Sequence, residues 1–144
     1  MVTLSTSWQF WALLAAVFAA LTAIFAKVGI ENVNSDFATF LRTFVVIIAL
    51  GGILFATDQY QPLASLSQKN IIFIILSGLA TGASWVCYFR ALKLGNASQV
   101  APIDKLSVVF VAIIGATFLG EHLSLGNWAG VGLITIGAIL VALG

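Results

Sequence analysis

Five long apolar stretches dominate the chain, and short polar segments separate them. The stretches cover residues 8–28, 36–56, 70–94, 98–119 and 125–143. A helix that crosses the hydrocarbon core of a bilayer needs about 20 mainly apolar residues, and each stretch has roughly that length. The pattern therefore predicts an all-α membrane protein with five transmembrane helices in a single domain over residues 1–144.

Residues that favour helix ends lie in the links between these stretches. Asn34 or Ser35 is placed to cap the second helix, and Asp36 suits the positive end of that helix. Gly95 favours an end of the third helix, and Ser124 is placed to cap the fifth. Because the links are short, we expect successive helices to be antiparallel neighbours.

Composition points to the lipid bilayer as the solvent. The chain is 61% hydrophobic and 8% charged, whereas soluble domains carry about 25% charged residues. A net charge of +1 leaves no basic patch for a nucleic acid, so no nucleic-acid partner is expected. Cys87 is the lone cysteine and His122 the lone histidine. The chain shows no metal-ligand spacing and no nucleophile–base pair, so we expect no cofactor, no metal and no enzymatic activity.

The positive charges are distributed unequally between the two faces of the expected bundle. Five of them fall toward one face: Lys27, Arg42, Arg90, Lys93 and Lys105. Lys69 falls toward the other. Cytoplasmic loops are enriched in Lys and Arg. We therefore expect the amino terminus outside and the carboxyl terminus inside. The membrane that we expect is the plasma membrane, which is the inner membrane of a bacterium.

Asp104 is the charge that a membrane helix accommodates least well. It lies roughly 10 Å into the fourth stretch at a rise of 1.5 Å per residue, and its side chain is too short to reach water from there. Its neighbour Lys105 points about 100° away on a helix, so the two are not expected to pair. Asp104 therefore requires either a wet cavity or a cation from another helix. The candidate cations are Arg42, Lys27 and Arg90.

Polar residues on the third and fourth stretches predict a substrate cavity. Hydroxyl side chains on the third stretch are spaced four, three and four apart, which places them on one helix face. Alternatively, Ser and Thr bond to their own helix backbone. On the fourth stretch Pro102 lacks a backbone N–H donor, which predicts a kink in the helix. Alternatively, it is a proline in the first turns of a helix, where proline is common and does not disturb the helix. The expected cavity residues are Ser77, Thr81, Ser84, Trp85, Tyr88, Gln99, Pro102 and Asp104.

Three cations are expected to form a charged vestibule beside this cavity: Arg42, Arg90 and Lys105. The alternative is that their long side chains extend to the headgroups. Glycines on the fifth stretch predict a close helix contact, either within the chain or with a second chain. These packing residues are Gly126, Gly130 and Gly137.

The carboxyl-terminal run "YFRALKLGNASQVAPIDKLSVVFVAIIGATFLGEHLSLGNWAGVGLITIGAILVAL" resembles an EamA-type domain of the drug/metabolite transporter superfamily. The opening segment "WALLAAVFAALTAIFAKVGI" resembles the first helix of that domain. The resemblance implies a five-helix unit, half of a ten-helix architecture in which two inverted units surround a central cavity. It places Pro102 on a cavity-lining helix and gives Glu121 a role in packing and capping.

Two departures from the family pattern change these expectations. The chain has one unit, so a homodimer or a second five-helix chain is expected. The first stretch also lacks the acidic residue of the smaller multidrug-resistance relatives and has only Thr22 and Lys27. Proton-coupled drug export by that route is therefore not expected. The unequal Lys and Arg distribution also disfavours a homodimer of mixed orientation.

Two functions remain open on these grounds. The first is a transporter unit for a small metabolite or drug-like solute that acts as a dimer in the bilayer. The net positive vestibule favours an anionic or zwitterionic substrate. The second is a non-transporting membrane subunit or assembly protein, in which the charges form a static ion pair and the glycine face holds a partner.

Overall fold

A computed structural model describes residues 7–144, which form α-helices joined by short links. The helices are α1 (Trp8–Gly29), α2 (Ser35–Thr57), α3 (Gln68–Leu94), α4 (Ala97–Asp104), α5 (Ser107–Phe118) and α6 (Leu125–Leu143). A single 3₁₀ turn, Leu63–Ser65, lies between α2 and α3. Taking α4 and α5 as one span, five helical segments are long and apolar enough to cross a membrane. This confirms the prediction of an all-α membrane protein.

The outer surfaces of these spans are apolar. Ile48 and Phe55 on α2 are 72% and 81% exposed, and no more than 11% of any spanning window is buried. Apolar surface of this extent is unfavourable in water, and helices satisfy their backbone polar groups internally. The chain is therefore an integral membrane protein.

Side-chain caps begin two of the helices, as predicted. The Asn34 side-chain oxygen accepts from the backbone N–H groups of Asp36 (2.9 Å) and Phe37 (3.1 Å). Ser124 Oγ accepts from the Asn127 N–H at 3.2 Å and begins α6. These bonds satisfy amide groups that have no partner within the first turn of a helix.

The fourth apolar stretch is a broken helix rather than a single bent one. Pro102 lies inside α4, which ends two residues later at Asp104. The Leu106 N–H then donates to the Ile103 carbonyl at 3.0 Å, a three-residue bond of the 3₁₀ type. Proline lacks the donor for a normal helical bond and crowds the preceding turn, which accounts for an interruption at this place.

The described residues form two compact units. The first unit contains α1 up to Phe25 together with residues 94–144, and within it α6 packs along α4 and α5. The second unit contains residues 26–93, which are the end of α1, all of α2 and nearly all of α3. Its buried side chains include Ile30, Thr39, Phe89 and Leu92.

Candidate functional site

The residues predicted to line a cavity divide between the two units. The second unit holds those of α3: Ser77, Thr81, Ser84, Trp85 and Tyr88. The first unit holds those of α4: Gln99, Pro102 and Asp104. Of the predicted vestibule, Arg42 and Arg90 lie in the second unit and Lys105 lies in the first.

Two lysines in the second unit join the end of α1 to the end of α3. Lys27, in the last turn of α1, donates to the Leu92 carbonyl at 2.7 Å. Lys93, in the last turn of α3, donates to the carbonyls of Ile30 (2.7 Å), Glu31 (3.3 Å) and Val33 (2.7 Å). Carbonyls at and beyond helix ends lack helical partners, and cationic side chains satisfy them well. We call these two lysines and their carbonyl partners the lysine clasp.

A pocket of about 410 Å³ lies against the clasp. Its lining is Lys27, Val28, Ile30, Glu31, Leu92 and Lys93. The Ile30 and Leu92 side chains are fully buried. Both lysine ammonium groups already donate to carbonyls of the chain. Their charges therefore serve mainly to hold the helix ends together.

Arg90 forms a two-point ion pair with Asp36. Its Nε donates to Oδ1 at 2.9 Å and its Nη2 to Oδ2 at 2.5 Å, which joins the end of α3 to the start of α2. Such parallel bonds combine charge attraction with a defined geometry. The chain thus has the kind of interhelical pair considered for Asp104, but the acid is Asp36, which had been predicted only to favour the start of a helix.

Arg42 is held by aromatic rings of α3. Its guanidinium carbon lies 4.2 Å from the centre of the Trp85 ring and 5.4 Å from that of Phe89. The residue is half-buried. The face of an aromatic ring attracts a cation, and the N–H groups of Arg42 donate to no residue in the described part of the chain.

The polar face of α3 has two different halves. Thr81 Oγ1 donates to the Ser77 carbonyl at 2.9 Å, which is the backbone bonding considered as the alternative to a cavity. Ser77 also borders an open pocket of about 380 Å³, together with Asn70, Phe73 and Ile74. Trp85 and Tyr88, by contrast, are half-buried beside Arg42.

Asp104 pairs with its neighbour Lys105, with 3.3 Å between Oδ2 and Nζ. The prediction that these two residues could not pair was wrong. Lys105 keeps a helical backbone, and its N–H still donates to the Ala101 carbonyl at 3.2 Å, so the two side chains do leave the helix in different directions. The long, flexible side chain of Lys105 nevertheless bends back far enough to reach the Asp104 carboxylate. Both side chains are substantially exposed, so the pair adds at most about 1 kcal/mol.

The three cations proposed as partners of Asp104 have other partners. Lys27 bonds to the Leu92 carbonyl, Arg90 to Asp36, and Arg42 stacks on Trp85. The expected ion pair between Asp104 and another helix is therefore replaced by a local one.

The glycines of α6 leave open space within the described chain. A Cβ added at Gly130 or Gly137 would meet no atom within 4 Å, and one at Gly126 would touch only Ser124 Oγ at 3.6 Å. The less exposed positions of α6 are Gly130, Val131, Thr135, Ala138 and Ala142. At 100° per residue the last four lie about 130° from the mean direction of the three glycines, and Gly130 is the glycine nearest to them. A packing role for these glycines stays a prediction, now directed at a second chain.

Glu121 folds back on the end of α5. Its N–H donates to the Gly115 carbonyl at 3.0 Å. A Cβ added at Gly115 would lie 2.7 Å from Glu121 Oε2, so the carboxylate covers that glycine. This geometry agrees with the packing and capping role that the resemblance implied.

The lysine clasp was not predicted from the sequence, although its elements were visible there. Lys27 and Lys93 each end an apolar stretch, and alternating helix directions bring those two ends to the same face. The sequence did not indicate that each lysine donates to carbonyls at the end of the other helix instead of extending to the lipid headgroups.

Comparison with known proteins identifies relatives over most of the chain. A model of the EamA-like transporter family matches residues 6–143. An uncharacterized transporter from the cobO 3′ region of a Sinorhizobium species is 59% identical over 139 residues, which cover 96% of this chain and 99% of that protein. The uncharacterized transporter YxxF of Bacillus subtilis is 30% identical over 131 residues, 90% of this chain but 40% of that longer protein.

A third relative carries a more specific name. The probable 4-amino-4-deoxy-L-arabinose-phosphoundecaprenol flippase subunit ArnE of Hamiltonella defensa is 24% identical over 107 residues. The match covers 72% of this chain and 95% of that subunit. No solved structure matches the chain.

Proposed function

We propose that this chain, which belongs to the EamA-like transporter family, carries a small solute across the cytoplasmic membrane and works as a pair of five-helix chains. Membership of the family and the names of its relatives make it a membrane transporter. The solute, the pairing and the choice of membrane are the parts proposed.

The lengths of two relatives carry the proposal that the chain works as a pair. The Sinorhizobium transporter matches this chain over 99% of its own length, whereas YxxF is matched over only 40% of its length. Transporters built from repeats bind their substrate near the midplane, at the interface between two repeats. A five-helix chain obtains such an interface when a second chain supplies the other repeat.

The open glycine face of α6 is the surface we propose for this pairing. Small residues allow two membrane helices to approach closely, and dispersion contacts then replace contacts with lipid. Within the described chain nothing fills the space over Gly130 or Gly137. A helix of a second chain would gain contact there without displacing any side chain of the first.

The lysine clasp supports the proposed orientation. Lys27, Arg90 and Lys93 come together at one end of the second unit, while Lys69 begins α3 about 36 Å away at 1.5 Å per residue. Positively charged ends of membrane helices favour the cytoplasm. We therefore propose a cytoplasmic clasp, with the amino terminus outside and the carboxyl terminus inside.

A second candidate function follows from the relative named as a flippase subunit. A chain of this size can act as one half of an assembly with a different chain, without transporting alone. Its similarity to ArnE, 24% identity over 107 residues, is the observation that favours this candidate.

Transport by the purified chain in proteoliposomes tests the proposal. Tracer uptake is measured for carboxylates, phosphate esters, zwitterionic amino acids, neutral sugars and quaternary ammonium ions. We expect saturable uptake of at least one solute over protein-free vesicles. Failure of folded protein to move any solute contradicts transport by this chain alone. Activity that appears only after a different five-helix chain is added supports the second candidate.

Pairing is tested with a matched substitution on α6. Gly130→Leu places a bulky side chain on the proposed face. Gly132→Leu places the same side chain in open space on a different face, because the two positions are separated by about 160° around the helix axis. We expect Gly130→Leu to lower the dimer fraction in nanodiscs, measured by single-molecule photobleaching, and Gly132→Leu to leave it unchanged. Equal effects would exclude the glycine face as the interface.

A further inference from the structure

One cation in the second unit differs from its neighbours. Lys27 and Lys93 donate to carbonyls, and Arg90 donates to the Asp36 carboxylate. Arg42 has no hydrogen bond or ion pair with any residue in the part of the chain that the structure describes. Its contacts are the ring faces of Trp85 and Phe89, and these distinguish it from Lys69, which also lacks a hydrogen bond or ion pair to the described residues but lies near the start of α3.

The contacts with Trp85 and Phe89 hold the charge of Arg42 without using its hydrogen-bond donors. A guanidinium has five N–H donors, and the face of an aromatic ring attracts its charge. The guanidinium carbon lies over the Trp85 ring, 4.2 Å from its centre, and no N–H group of Arg42 donates to a residue in the described part of the chain. Donors of this kind form two parallel bonds to a carboxylate or a phosphate. Arg90 makes that arrangement with Asp36 in the same unit.

Arg42 differs from an arginine that extends to the lipid headgroups, because both Arg42 and Trp85 lie well inside their helices. Arg42 is seven residues into α2, about 10 Å from its start. Trp85 is nine residues before the end of α3, about 14 Å along that helix. The ring therefore holds the guanidinium within the span. Charged groups at such depths are rare and are associated with substrate and ion pathways.

We propose that Arg42, held by Trp85, binds a carboxylate or phosphate group of the molecule that the protein carries. The inference rests on the proposed function, since it names the chemical class of the cargo. The oxyanion belongs either to a water-soluble solute or to a lipid headgroup. Both present the same oxygen atoms to the guanidinium.

Nuclear magnetic resonance of the arginine side chains tests the proposal without requiring transport. The chain contains two arginines, Arg42 and Arg90, so ¹⁵N-guanidinium labelling gives two sets of signals that an Arg90→Lys variant assigns. The labelled full chain in phosphatidylcholine nanodiscs is titrated with inorganic phosphate and with succinate at constant ionic strength. Succinamide and chloride are the neutral and monatomic controls.

We expect phosphate or succinate to shift the Arg42 signals saturably, while the Arg90 signals remain in place. If only phosphatidylglycerol added to the nanodisc shifts Arg42, the bound oxyanion is a lipid headgroup. If neither the soluble anions nor the anionic lipid shifts Arg42, the proposal is overturned. An equal response to succinamide or chloride overturns it as well.

Variants give the size of the effect. Binding is followed by Trp85 fluorescence after Trp8, Trp11 and Trp128 are replaced by phenylalanine. Arg42→Gln should weaken binding about tenfold to a hundredfold, the range for loss of hydrogen bonds to a charged group. Arg42→Lys keeps the charge but not the planar fork, so a smaller loss is expected. Lys69→Gln, at the far end of α3, is the matched control and should leave affinity unchanged.

The outcomes separate this inference from the proposed function. Anion binding at Arg42 without transport of any solute would sustain the site and contradict the transporter. Transport of a cation or a neutral solute by a protein whose Arg42 signals never respond would sustain the transporter and contradict the site.

Discussion

Replacing Lys93 by methionine is expected to destabilise the chain more than substitutions at exposed residues usually do. The change removes the ammonium donor while keeping an apolar stem of similar length, so packing along the stem is largely retained. It leaves the carbonyls of Ile30 and Val33, each 2.7 Å from Nζ, without that donor.

The expected magnitude follows from these two short bonds. A hydrogen bond from a charged group stabilises a fold by about 1.5–3 kcal/mol, and the lower figure applies here because Lys93 is exposed. Two such bonds give about 3 kcal/mol, and the longer bond to Glu31 at 3.3 Å adds little. We expect Lys93→Met to lower the free energy of unfolding by about 2–4 kcal/mol.

The assay is equilibrium unfolding in mixed micelles of dodecylmaltoside and sodium dodecyl sulfate, followed by circular dichroism. Lys69→Met is the matched control, a lysine of the same helix with no ion pair or hydrogen bond to the described residues, and should change the stability by less than about 0.5 kcal/mol. A loss for Lys93→Met no larger than that of the control would refute the clasp as a stabilising element.

Three further contacts are tested by the same assay. Asp36→Asn and Arg90→Gln should each lower the stability only slightly, because the pair is exposed. The double variant should lose no more than the larger single loss, and additive losses would contradict the pairing. Gly115→Ala alone should change the stability by less than about 0.5 kcal/mol, because the added methyl group displaces the Glu121 carboxylate and this cost offsets the gain in helix propensity. When Glu121→Ala is already present, the same substitution should stabilise the chain by about 0.5–1 kcal/mol. The same result in both backgrounds would contradict the contact. Lys105→Met should cost less than about 0.5 kcal/mol, since its 3.3 Å pair with Asp104 is exposed, and a loss above 1 kcal/mol would contradict that assignment.

The helices and their caps were predictable because they depend on local properties. The length of an apolar stretch determines whether it can span a bilayer. An Asn34 side chain reaches only the amides that follow it, so its capping role needs no knowledge of the rest of the fold. The same locality explains why Ser124 was correctly expected to begin α6.

The partners of the charges were not predictable in the same way. The argument that Asp104 and Lys105 point apart considers only the directions in which the side chains leave the helix, and it neglects how far the long side chain of Lys105 can bend back. Arg90 pairs with Asp36 because of the way in which α2 and α3 approach each other. The spacing of residues along the sequence gives no information on that approach. Sequence therefore offered an interhelical ion pair as one of two possibilities for Asp104, whereas the interhelical pair in the structure has Asp36 as its acid.

Arg42 shows how structure refines a site that sequence proposes. Its position and charge suggested a vestibule, with Asp104 among its possible partners. The structure places the guanidinium over the Trp85 ring, with no carboxylate partner among the described residues. Tyr88 had been placed in the cavity as a member of the polar stripe and Trp85 as a residue bordering it, neither for its relation to Arg42.

The central claim is that the chain transports a solute only as a pair. It is tested most directly by reconstituting the protein over a range of protein-to-lipid ratios and measuring the fraction of vesicle volume accessible to a transported solute. Under the pairing mechanism this fraction follows the Poisson probability of at least two chains per vesicle, and it is near zero where vesicles hold one chain. A fraction that follows the probability of at least one chain, or no accessible volume at any ratio, would contradict it.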